Sequence, residues 1–97
     1  MTFEELQFAL EEFDLPAQTT WKKIRERHRQ LVRLYHPDKG ESVDSERIRR
    51  INAAYKILNL YVGDYRFDFS KAQFLEQYPE ERLREQFWSE KLWGDDI

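Results

Sequence analysis

Two stretches of this chain repeat apolar residues at helical spacing, and a proline stands between them. Trp21, Ile24, His28, Leu31 and Tyr35 recur three and four residues apart, which places all five on one face of an α-helix. Ile48, Ile51, Ala54, Tyr55 and Leu58 form a second such stripe. Pro37 stops the first helix at about His36, because a proline pushes the residue before it out of the α region. Roughly eight residues, Pro37 to Asp44, then lead into the second helix. Two long helices joined by so short a connection pack antiparallel with their apolar stripes together. The spacing therefore predicts a helical hairpin of residues 20–35 and 45–61. Thr19 or Thr20 suits the first N-cap; Ser42, Asp44 and Ser45 compete for the second; Gly63 is a natural stop. The connection still exceeds the ~4–6 residues common between elements, and longer loops often carry function.

The rest of the chain reads as further helix, so the fold class is all-α. Leu6, Leu10 and Phe13 make a stripe along a helix from Phe3 to Phe13, flanked by Phe8 and Ala9, with Pro16 as its expected stop. Beyond Gly63, Tyr65-Arg66-Phe67-Asp68-Phe69 alternates apolar with charged and suits a short extended segment. Ser70 can cap a helix through Tyr78 with Phe74, Leu75 and Tyr78 inward. Pro79 fits the first turn of another, helped by Glu80 and Glu81 at its positive dipole end. Leu83, Phe87, Trp88 and Leu92 are its expected buried face. Packing is favoured for Phe74 and Phe87, and Trp93 is left open between packing and binding. Residues 1–61 thus read as one domain and 62–97 as a helical extension, packed on it or used to bind a partner.

The net charge of −3 conceals an asymmetry. Residues 1–21 carry five acids and no base, whereas residues 22–39 carry seven bases against Glu26 and Asp38. Lys22, Arg25, Arg29 and Arg33 repeat at helical spacing on nearly the opposite face from the apolar stripe. A local positive excess on an acidic chain points to an acidic partner. Nucleic acid is the competing occupant of a basic helix, but it would call for net positive charge across the domain, and the isoelectric point is near 5.4.

Enzymatic chemistry finds little support. The chain has no cysteine and two histidines. His28 lies on the apolar face as a packed residue, and no third ligand suggests a metal. No serine or threonine sits in a nucleophile motif. The expectation is no catalytic residue, no metal and no cofactor. The acidic start Met1-Thr2-Phe3-Glu4-Glu5 lacks the form of a secretory signal, and no stretch is long enough to span a bilayer, so a cytoplasmic location is expected.

His36-Pro37-Asp38 remains. As a plain turn it explains the proline and the aspartate, which accepts backbone N–H bonds, but leaves His36 without a role. As a docking tip, proline fixes the backbone while His and Asp offer a donor–acceptor pair to a partner. With its setting, Leu31-Val32-Arg33-Leu34-Tyr35-His36-Pro37-Asp38-Lys39-Gly40 resembles the signature of J-domain proteins, the DnaJ-type co-chaperones, over residues from about Phe3 to Leu60. The resemblance implies an antiparallel J-domain hairpin that binds a DnaK-type (heat-shock protein 70 class) chaperone and stimulates its ATP hydrolysis. It maps His36, Pro37 and Asp38 onto the family's motif, and Lys22, Arg25 and Arg29 onto the basic face that docks on the chaperone, with Arg33 and Lys39 extending it. The chain departs from the family in a shorter loop after Asp38 and in lacking a Lys/Arg-rich fourth helix, a Gly/Phe-rich linker and a cysteine-rich zinc module. A minimal member is therefore expected, acting on no nucleic acid and no membrane, with an interaction adaptor built on the aromatic extension as the alternative.

Overall fold

The computed structural model describes residues 1–35 and 45–94, and the side chains of residues 1–35 and 45–88. Five helices follow in order among the described residues: α1 (Phe3–Phe13), α2 (Trp21–Tyr35), α3 (Ser45–Asp64), α4 (Lys71–Gln77) and α5 (Pro79–Gly94). Among the described residues every regular element is helical. The chain divides into two compact units, Met1–Tyr65 and Arg66–Ile97.

In the first unit, short polar side chains start α1 and α2. The Thr2 hydroxyl accepts the Glu5 N–H at 3.1 Å, and Glu4 and Glu5 sit in the first turn where the dipole favours them. Thr20 caps α2 in the same way, accepting from Lys23 N–H at 3.2 Å. Pro16 is not what ends α1. The helix stops three residues earlier, where Asp14 adopts a left-handed conformation with φ 51°. Its N–H donates to Glu11 O and the Leu15 N–H to Leu10 O, both at 3.0 Å, the paired bonds of a Schellman cap. The third helix ends at Asp64, one residue past Gly63, close to the stop that the sequence predicts.

The core is the meeting of the three stripes. Ala9 and Phe13 of α1, Ile24 and Leu31 of α2, and Ile51, Ala54 and Leu58 of α3 are all buried. Trp21, at the start of α2, stacks on Tyr55 well along α3, while Tyr35 at the end of α2 meets Arg47 near the start of α3. That order of contacts makes α2 and α3 an antiparallel hairpin. The first helix closes it: Phe13 stacks near both His28 and Tyr55, at 6.1 and 6.2 Å between ring centres.

In the second unit Ser70 caps α4 through a 3.2 Å bond from Gln73 N–H, and Pro79 opens α5. The Asp68 carboxylate accepts the Ser70 N–H at 2.8 Å, which holds its pKa below the ordinary carboxylate value. The two helices are joined by a Lys71–Glu85 ion pair and by Arg82 on Glu76 at 3.2 Å. Among the described side chains, the inward face expected for this region is not formed. Phe74, Tyr78, Leu83, Phe87 and Trp88 are all exposed, Leu83 to 68%, and only Leu75 of that group is half-buried. Two causes are visible in the helices. With seven residues, α4 offers about two turns of surface. On α5, Trp88 points roughly 140° away from Leu83, so no single contact could cover both. The side chains of Leu92 and Trp93 lie outside those described.

Candidate functional site

Lys22, Arg25, Arg29 and Arg33 are all exposed, along one side of α2, with Ile24, His28, Leu31 and Tyr35 turned to the core or half-buried. From Lys22 to Arg33 the basic face is about 16 Å long at 1.5 Å per residue. Among the described residues none of the four enters a salt bridge, so their charge is available to an external surface. Arg25 is the most restrained, its guanidinium lying 6.0 Å from the Trp21 ring centre. Arg27 sits in the same sequence run but does another job. Its Nε donates to the Phe13 carbonyl at 2.8 Å and its guanidinium reaches Gln30, so it ties α2 to the end of α1. Periodicity marks this difference: Arg27 follows the basic positions by two residues, which turns it off their face.

Behind the basic face stands an aromatic stack. His28 lies flat on Tyr55, ring centres 3.7 Å apart and 7° from parallel, with the Trp21 ring 6.0 Å from Tyr55 and the Phe13 ring 6.1 Å from His28. Burial holds the His28 pKa below its ordinary value of 6.5, partly opposed by a side-chain hydrogen bond with Asn52. The neutral ring therefore belongs to the packing, as its place on the apolar stripe suggested.

At the end of α2 a charged cluster escaped the sequence reading. Glu12, whose side chain is only 15% exposed, accepts from Arg50 Nε at 3.1 Å and faces Arg47 at 3.7 Å. Arg47 in turn lies 5.3 Å from the centre of the Tyr35 ring. The one signal in the sequence is the spacing of Arg47 and Arg50, three apart and hence on one side of α3. Their partner, thirty-five residues upstream of Arg47, is specified by nothing local. His36, Pro37, Asp38 and Lys39 lie outside the described residues. Tyr35, the last described residue before them, is half-buried.

Against families of known proteins, the DnaJ domain matches residues 3–62. This chain belongs to the DnaJ-domain family. The match begins with α1 and ends within the last turn of α3, so the J domain comprises the three helices that share the core. No curated protein and no solved structure gave a match. At the family level the J domain marks a co-chaperone of heat-shock protein 70 type, a binding role and not in general an enzymatic one. No helix among the described residues is long and apolar enough to cross a membrane.

Proposed function

We propose that this J-domain protein docks on the ATPase of a DnaK-type chaperone through His36, Pro37, Asp38 and the basic face of α2, and stimulates ATP hydrolysis there. The observation that carries the reading is the exposed row of Lys22, Arg25, Arg29 and Arg33 leading to Tyr35, directly before the His-Pro-Asp motif. A positive face of this length steers an acidic surface into register and speeds encounter, more so at low salt. Lys39 extends the same charge past the motif. Single-turnover ATP hydrolysis by a bacterial DnaK, titrated with the full chain, tests it. Wild type should accelerate hydrolysis and His36→Gln should not. Arg25→Glu or Arg29→Glu should raise the half-saturating concentration by about three- to tenfold without unfolding the protein. A folded wild type that leaves hydrolysis unchanged at saturating concentration refutes the reading.

A second reading concerns residues 62–97, as a surface for a client or scaffold protein. It is favoured by the exposed aromatics Phe69, Phe74, Tyr78 and Trp88, Phe69 being 93% exposed. Capture of a denatured client by the full chain, compared with Phe69→Ser and Trp88→Ser, tests it. Equal capture by wild type and both variants removes it.

A further inference from the structure

We propose that Arg47 is a positioning residue for chaperone docking: held by Glu12, it fixes the Tyr35 ring and so the last turn of α2 from which the chain leaves toward His36. The inference rests on the docking reading given above and adds the device that orients it.

The geometry is a relay across three helices. Among the described residues Glu12 is the most enclosed of the ion-pairing carboxylates, and it faces two guanidinium groups of α3, Arg50 at 3.1 Å and Arg47 at 3.7 Å. Glu12 binds Arg50 at hydrogen-bond distance and attracts Arg47 across a longer ion pair, more strongly than an exposed carboxylate could, since solvent competes less for it. The Arg47 guanidinium, 31% exposed, lies over the negative face of the Tyr35 ring at 5.3 Å. The three side chains come from the end of α1, the start of α3 and the end of α2. They therefore tie together the two chain ends that flank the connection between α2 and α3.

The stacked rings Trp21, His28 and Tyr55 and the buried Ile24 and Leu31 already pin the body of α2. Its final turn has less apolar anchoring: Val32 and Tyr35 are half-buried, and Leu34 is 67% exposed. Helix ends fray where packing is thin. A cation over Tyr35, itself held by a carboxylate, supplies the restraint that the apolar contacts there lack. Such pre-organisation acts on apparent affinity, because only molecules with the last turn in place are competent to dock. It does not act on the hydrolytic step, which belongs to the chaperone.

The test is the same DnaK titration, run with full-length Arg47→Ala, Glu12→Gln, Tyr35→Leu and Tyr35→Phe. For the first three the half-saturating concentration should rise by about three- to tenfold while the rate at saturation stays at the wild-type value. Tyr35→Phe keeps the ring and should behave as wild type. A merely structural role would lower thermal stability without this split and without rescue by phenylalanine. Circular dichroism identifies any variant that fails to fold, and Tyr35→Leu against Tyr35→Phe then decides alone. Unchanged half-saturation in folded Arg47→Ala and Tyr35→Leu overturns the proposal. Should wild type itself give no stimulation, the docking reading falls, and NMR order parameters at the Tyr35 amide judge the clamp separately. A fall in Arg47→Ala relative to wild type upholds the restraint, and equal values overturn it.

Discussion

Asp14→Gly should make this protein more stable, although it removes a side chain and adds freedom to the unfolded chain. Asp14 is exposed, so packing does not complicate the substitution, and its φ of 51° lies in the left-handed region. A side chain there costs about 1 kcal/mol, the low end of the range, since aspartate tolerates this conformation better than most residues. Its carboxylate also sits at the negative end of the α1 dipole, a further penalty of about 0.3 kcal/mol. Glycine relieves both and loses roughly 0.5–1 kcal/mol through the greater entropy of the unfolded chain. The net gain is about 0.5 kcal/mol, or roughly 2–4 °C in Tm for a chain of this size. Asp14→Ala separates the causes. It relieves the charge but leaves a Cβ in the left-handed region without a polar group to soften it, so it should lower Tm by several degrees. Thermal unfolding followed by circular dichroism reads both variants. If alanine raises Tm as much as glycine, charge and not backbone conformation governs this cap, and the argument from the Schellman bonds fails.

Two further outcomes concern α2. Arg27→Met should cost about 1–2 kcal/mol in urea unfolding by stripping the Phe13 carbonyl of its 2.8 Å charge-assisted bond, yet leave ATPase stimulation per folded molecule at the wild-type level. A loss of stimulation in the folded variant would place Arg27 on the docking face after all. His28 gives a pH dependence of definite sign: with its native pKa held below 6.5, the unfolded chain binds more protons in the interval between the two values. Stability is therefore fully present above about pH 6.5, declines as the pH falls through that value, and levels off once the native pKa is passed. His28→Phe keeps an aromatic ring on Tyr55 and should flatten that part of the profile, so identical slopes for wild type and variant between pH 7 and 5 would exclude His28 as the cause.

Much of this was legible in the sequence because it is governed by neighbours along the chain. Apolar residues three and four apart define α1, α2 and α3 with their buried faces, Thr20 and Ser70 announce caps, and the same periodicity puts Lys22, Arg25, Arg29 and Arg33 on the side that stays wet. The J-domain family was readable from Tyr35-His36-Pro37-Asp38 in its helical setting. What misled was also local. Pro16 looks like the stop of α1, but Asp14 turns the chain first. The aromatics beyond residue 66 look like a core, yet burial needs an opposing surface, and neither two turns of α4 nor the scattered apolar positions of α5 provide one.

By itself, then, the sequence determined the helices and the charged face that a partner would meet, since each depends on spacing within a few residues, and two apolar stripes joined by a short connection pointed to the hairpin. Only the tertiary structure decided that Arg27 serves α1, that His28 lies flat on Tyr55, and that Glu12, Arg47 and Tyr35 converge where α2 ends. Those pairings join residues far apart in the chain. Their geometry is set by how three helices cross, and no spacing rule along one helix contains it.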